Sequence, residues 1–293
     1  MSVIRDTNSF LYDLVRGQTS KMATSVARLE EQAITGRRIN RPSDAPTEMV
    51  QVNRLREEVA NQEVYGRNAS WAKSIQGLAD QVLGEVTNIF QRAGEIAVSM
   101  SNEHYNADDR SAAADEVTEL RNQLVVLSNT DLGGRHIFAG DAFDTSPFDS
   151  AGTYQGSTDI PETLVANDQW VEVGFDGSVA FQGSIDSFQV LADLKTALET
   201  NVASDVQGSI TDVQDAAKQT ISARQEMGHQ YAKSDDAELL SDTLRAEFTT
   251  HLDSVVGANE GEVYMQLQQA RSSYSAALQV AAGGLGMNLF DHI

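Results

Sequence analysis

The residues best able to do chemistry in this chain are five histidines, three adjacent pairs of acids and one glycine-rich loop. His104, His136, His229, His251 and His292 never stand four apart with a glutamate between, the spacing that sets two imidazoles on one helix face for zinc. The pairs Asp108-Asp109, Asp115-Glu116 and Asp235-Asp236 have the residue types for acid/base work or calcium. Neighbours on a helix point about 100° apart, however, and the calcium-loop pattern is missing, so these pairs read as solvated faces and helix caps. The run Gly133-Gly134-Arg135-His136-Ile137-Phe138-Ala139-Gly140 has the composition of a phosphate cradle. It lacks the Lys-Ser/Thr ending of a P-loop and follows a helix rather than a strand, so it reads as a chain reversal with Phe138 packed. No Ser-His-Asp set stands out either. The residues nominate no catalytic group, no metal ligand and no cofactor, and the chain reads as a structural subunit rather than an enzyme.

Composition narrows the partners. A formal net charge of −22 over 293 residues argues against nucleic acid, since binding phosphates requires clustered Lys and Arg, and the one such cluster is Gly36-Arg37-Arg38-Ile39-Asn40-Arg41. There is no cysteine, hence no disulfide framework and no thiolate site. The start, Met1-Ser2-Val3-Ile4-Arg5-Asp6-Thr7-Asn8, has none of the features of a cleaved secretory signal, and no apolar run reaches the length of a membrane span. Export by another route and no membrane insertion are the expectations.

The apolar spacing predicts which elements carry these residues. Leu11, Val15, Met22, Val26 and Leu29 recur at helical steps and predict a first amphipathic helix ending at Thr35-Gly36. Pro42 and Pro46 bracket a break, with Ser43 or Asp44 as cap of the next helix and Pro46 in its first turn. Met49, Val52, Leu55, Val59, Trp71, Ile75, Leu78, Val82, Val86, Ile89, Ala93, Ile96 and Met100 then predict about fifty helical residues, far beyond the usual ~11. A further helix follows Asn106, with Ala113, Val117, Leu120, Leu124 and Leu127. Glycines and prolines cluster over residues 141–186, where Gln169 to Phe175 and Val179-Ala180-Phe181 alternate like strands, Asp176-Gly177 suits a hairpin turn, and Trp170 and Phe175 suit a β core. Helix resumes at Phe188. The last helix, capped by Asn259 with Glu262 as in a capping box, carries Val263, Leu267, Ala270, Tyr274, Ala277, Leu278 and Ala281.

The fold expected is therefore mainly α: a long antiparallel helical bundle or coiled coil built from both chain ends, with a small inserted β domain. Residues 1–40 with 257–293 form the terminal coiled coil, 41–140 with 187–256 a helical stalk, and 141–186 the β insert. Both terminal helices have narrow stripes of the coiled-coil kind, each needing a partner. Leu11, Val15, Met22, Val26 and Leu29 are expected to pack against Val263, Leu267, Ala270, Tyr274 and Leu278 as an assembly interface that orders fully on polymerisation. A ligand site in the insert is the alternative from another class.

The stretch Ile34-Thr35-Gly36-Arg37-Arg38-Ile39-Asn40-Arg41-Pro42-Ser43-Asp44-Ala45-Pro46 resembles the signature at the first helix break of the flagellin superfamily. Its Arg38, Asn40, Pro42, Ser43, Asp44 and Pro46 look like the form found in hook-associated proteins of the hook–filament junction. Gly134, Phe138 and Gly140, followed by Pro147-Phe148, are similar to a second element of that family. The resemblance implies export to the extracellular flagellum without a cleaved signal, with the help of a chaperone. It further implies self-assembly between hook-associated protein 1 and flagellin, the terminal helices forming an inner tube; a flagellin of the filament itself is the alternative. Two positions depart from the pattern. His136 replaces an aromatic residue, and Gly283-Gly284-Leu285-Gly286 is expected to interrupt the last helix, each glycine costing about 1 kcal/mol relative to alanine.

Overall fold

The computed structural model describes the backbone of residues 2–290 and the side chains of residues 13–282. Along the chain lie α1 (Ser2–Thr35), α2 (Pro46–Met100), α3 (Ala107–Ser128), β1 (Asp131–Leu132), β2 (Arg135–His136), β3 (Glu162–Ala166) and β4 (Gln169–Glu172). Then follow α4 (Gly177–Gln182), α5 (Ser187–Glu199), α6 (Ala203–Val256) and α7 (Glu260–Phe290). The chain divides into two compact units, Met1–Val59 with Ala246–Ile293, and Ala60–Arg245.

Local chemistry sets most of the helix boundaries. The long apolar pattern folds as the single helix α2 of 55 residues, with Pro46 at its first position, where the missing N–H is one of the four that have no intrahelical acceptor. Asn106 and Asp109 close a reciprocal capping box at the start of α3. Asp186 Oδ1 accepts the amides of Phe188 (2.9 Å) and Gln189 (3.0 Å) to start α5. At the last helix Asn259 Oδ1 accepts the Glu262 amide at 3.3 Å, while the Glu262 carboxylate takes Gln266 Nε2 instead of closing the box. Through Gly283, Gly284 and Gly286 the helix continues unbroken to Phe290. A glycine weakens a helix without removing a hydrogen bond, so a long helix runs through where a proline would stop it.

In the second unit, α2 lays Ala72, Ile75, Ala79, Leu83, Val86 and Phe90 into one core shared with α3, α5 and α6. Alanine at the contact positions lets these helices approach closely. Two ion-pair sets tie α2 to α6: Lys73 to Asp235 (2.6 Å) and Glu238 (2.9 Å), and Arg224 to Asp80 (2.7 Å). The expected β region is smaller than its composition suggested. It holds one antiparallel hairpin, β3–β4, with an irregularity between Leu164 and Ala166 and a turn at Asp168, a non-glycine residue at φ 57°. Val165 and Val171 of the hairpin enter the common core, and α2 grips the hairpin backbone from beneath. Asn68 Nδ2 donates to Leu164 O and Gln76 Nε2 to Glu172 O, both at 2.8 Å.

Three expectations fail here for identifiable reasons. Asp176-Gly177 does not turn a hairpin: Asp176 caps α4, its Oδ1 accepting the Ser178 amide at 2.8 Å, so Val179, Ala180 and Phe181 lie on a helix. Asp-Gly suits both turns and caps, and six residues are too few for period to decide. Phe175 is buried, but Trp170 is 56% exposed on β4 and Trp71 is 40% exposed on α2. The core on that side of α2 is formed by Ala69, Ala72 and Ile75 instead.

Candidate assembly site

The first unit is built from the two ends of the chain. Helices α1 and α7 pack together, with Leu29, Val263 and Leu267 buried and Val15, Met22, Val26, Ala270 and Tyr274 half-buried. Leu278 is 44% exposed, and Ala277 takes the inward position of that turn; the Leu11 side chain lies outside the described residues. Glu30 and Arg271 pair across the two helices at 2.5 Å. Away from this seam the same helices expose Leu14, Ile34, Tyr264, Met265 and Val280, the last three on α7 at 56%, 70% and 73%.

The Arg38 motif stitches the two chain reversals of this unit together. Gly36 ends α1 in the left-handed conformation (φ 65°), and its amide closes on Gln32 O at 2.9 Å. The next residues bond to the α6–α7 connection: Arg38 N donates to Val256 O (2.7 Å) and Ala258 N to Gly36 O (2.9 Å), framing a bridge between Arg37 and Gly257. Arg38 adds Nη2 to Val255 O at 2.9 Å and pairs with Glu48 on α2. Ile39, 3% exposed, plugs the space between Ala45, Val52 and Val256.

Asp44 acts opposite to its expected role. Rather than capping α2 forward, its Oδ2 reaches back to the amides of Asn40 (3.0 Å) and Arg41 (2.7 Å), while Ala45 O starts the helix by accepting Met49 N at 3.0 Å. Asn40 in turn gives Nδ2 to Arg37 O (3.0 Å) and takes the Thr35 hydroxyl (3.1 Å), and Arg41 pairs with Glu31 at 3.1 Å. Pro42 and Ser43 stay on the surface. Replacing Asp44 with alanine frees two loop amides at once, and an expected loss of about 1–2 kcal/mol should appear in urea unfolding, with faster hydrogen exchange confined to residues 38–46. Sequence reasoning missed Ile39, Glu48 and Gly257, which complete this joint. Only the ten-residue offset from Arg38 to Glu48 hinted at a pairing.

The Arg38–Glu48 pair carries a pH signature. Its hydrogen bond and charge raise the Arg38 guanidinium and hold the Glu48 carboxyl below the usual range. A carboxyl depressed in the folded chain adds stability above its unfolded pKa and loses it as pH falls through the folded value. Glu48→Gln should therefore destabilise the first unit at neutral pH, and the difference should shrink as pH falls below the ordinary glutamate range, which thermal unfolding across that range checks.

The second motif lies wholly in the second unit. Gly133 and Gly134, at φ 63° and 85°, form the two-residue turn of the β1–β2 hairpin. His136 Nδ1 donates to Asn129 O at 2.9 Å, which fixes the ring that stands in place of an aromatic one. Phe138 is fully buried, ring-to-edge against Phe175 and Phe181. Gly140 sits at φ 61°, where an added Cβ would lie 2.1 Å from Ser157 O. Among the described residues no cluster of acids and histidines is placed to hold a metal ion, and no helix is long and apolar enough to cross a membrane.

The two chain ends thus form one helical unit joined by this motif, and the model of the bacterial flagellin N-terminal helical region matches residues 13–142. Flagellar hook-associated protein 3 of Escherichia coli strain K12 is 32% identical over 249 residues, spanning 82% of this chain and 77% of that protein. Its Salmonella typhimurium counterpart, also a flagellar hook-associated protein 3, is 25% identical over 98% of this chain and 99% of its own length. In fold, the chain is similar to a putative flagellar hook-associated protein from Vibrio parahaemolyticus, with a TM-score of 0.65 at 19% identity over 76% of this chain and 100% of that one. The chain belongs to the flagellar hook-associated protein 3 family, structural proteins of the bacterial flagellum.

Proposed function

We propose that this chain is a structural subunit of the flagellar hook–filament junction that polymerises through its terminal helices. The observation that carries this is the character of α1 and α7: they pair through a narrow seam and still expose large apolar side chains on their other faces. A two-helix pair with apolar residues all round is half of a larger core, and further copies of the same pair supply the rest. In this reading the terminal helices line the inner tube and the β3–β4 hairpin lies on the outside. The neighbours are hook-associated protein 1 on the hook side and flagellin on the filament side, and an export chaperone holds the ends before secretion without signal cleavage.

Deleting the gene should leave hooks without filaments, seen by electron microscopy, and the full chain should restore filaments. Versions lacking residues 1–30 or 260–293 should be absent from sheared flagella; their incorporation would refute assembly through the ends. Abundance separates this role from that of a filament flagellin, since a junction subunit is a trace component of sheared flagella.

A further inference from the structure

Charge partnering differs between the two units. In the second unit every Lys and Arg is engaged by a carboxylate, a carbonyl or a ring, as with Arg92 on Glu95 and Glu116, Arg121 on Ser150 O and Ala151 O, and Arg135 over Phe143, while Lys233 interacts with Glu172 through charge alone. In the first unit Arg16, Lys21, Arg28, Arg37, Arg54 and Arg56 are exposed and, among the described residues, reach no ion-pair partner. The unpaired acids show the opposite distribution at one place. Between α2 and α3 in the second unit runs an open cleft of about 470 Å³, with Ile89, Val126 and Leu127 among its apolar lining and Glu85 and Glu119 on its rim. Neither rim carboxylate has a cationic partner among the described residues, and Val126 is 72% exposed.

From this complementarity we propose that the cleft between α2 and α3 receives the start of α2 from a second copy of this chain, with Val50 entering the apolar floor and Arg54 meeting Glu85 and Glu119. Val50 is 74% exposed, and Arg54 stands one helical turn beyond it on the same face. No other exposed large apolar residue of the first unit among the described side chains has an unpaired cation one turn away along its helix. Ile34, more exposed at 83%, lies in the last turn of α1, where the residues one turn back are Glu30 and Glu31, already paired with Arg271 and Arg41, so its helix offers the acidic rim no free cation. The contact joins unlike surfaces of two copies, so it repeats head to tail and extends a polymer rather than closing a dimer. It rests on the self-assembly proposed above and adds a second, charge-steered contact to the one made by the terminal helices.

The chain's lack of cysteine gives a direct test. Val50→Cys and Val126→Cys full-length chains are co-expressed in a flagellated strain lacking its own junction subunit, and flagella are treated with a short bismaleimide. A cross-linked dimer is expected at least about tenfold above that from Val50→Cys with Val179→Cys, a control at 56% exposure. Arg54→Glu or Glu119→Arg should each lower the yield by about tenfold, and both together should restore it. Incorporation of the chain into flagella without the Val50–Val126 cross-link, a cross-link to another subunit instead, or no rescue by the double reversal overturns this contact and leaves the junction role standing. Absence of the chain from flagella overturns both.

Discussion

Replacing Phe138 with alanine is expected to lower the stability of the second unit by about 3–5 kcal/mol, the usual cost of emptying a phenylalanine-sized site in a packed core. The ring is a link within a chain of aromatic contacts. It meets Phe181 at 5.2 Å and 86° and Phe175 at 6.3 Å and 85°, Phe181 meets Phe148 at 5.2 Å, and Phe148 meets Phe188 at 5.0 Å. Each edge-to-face pair adds something beyond buried area, so the loss spreads past the deleted ring. The backbone of Phe138 is engaged as well, its carbonyl accepting Gly177 N (3.0 Å) and the Tyr154 hydroxyl (3.2 Å). The site therefore cannot collapse without moving α4, and the cost should fall in the upper part of the range. Both tryptophans belong to the second unit, so their fluorescence in urea follows that unit alone. Phe138→Leu should lose much less, and a loss below about 1 kcal/mol for Phe138→Ala would show that the ring is dispensable.

Residue types and spacing made part of this legible. The stripes of α2 and α3 and the helix start after Asn106 are local signals, and local signals survive folding because the groups that satisfy one another are three or four residues apart. Trp170 fails by the same logic. Alternation identifies a strand with two faces, but which face is buried depends on where α2 lies beneath the hairpin, and Asn68 and Gln76 decide that from 96 residues away. The Arg38 motif was recognisable as a pattern, yet its meaning was hidden because its partners, Val255, Val256 and Ala258, are near the far end of the chain. Asp44 shows the remaining ambiguity: an aspartate just before a helix can serve the turn behind it as readily as the helix ahead.

Arg110 carried no signal at all in the sequence, and its replacement is expected to rank with that of Phe138. It is 4% exposed in the first turn of α3, a position where the positive end of its own helix disfavours a cation. What holds it there is the end of α2. Nε donates to Met100 O at 3.1 Å and Nη2 to Asn102 O at 2.9 Å, where the terminal carbonyls of the helix gather partial negative charge. Nη1 donates to Asn201 Oδ1 at 2.5 Å, which pins the α5–α6 turn with Asn201 in the left-handed region at φ 57°. One guanidinium thus ties two connections at the same end of the second unit. Arg110→Ala removes three charge-assisted hydrogen bonds made by a guanidinium that is itself 4% exposed, for an expected loss of about 3–5 kcal/mol. Arg110→Lys should recover less than half, because a single ammonium cannot reproduce the planar fork that reaches three acceptors in different directions. Arg110→Met keeps the stem and removes the donors, so it separates packing from hydrogen bonding. If Met were as stable as Arg by tryptophan-monitored urea unfolding, the bonds would be ornamental; if it matches Ala, with faster exchange at residues 101–106 and 200–202, the guanidinium is what closes this end of the fold.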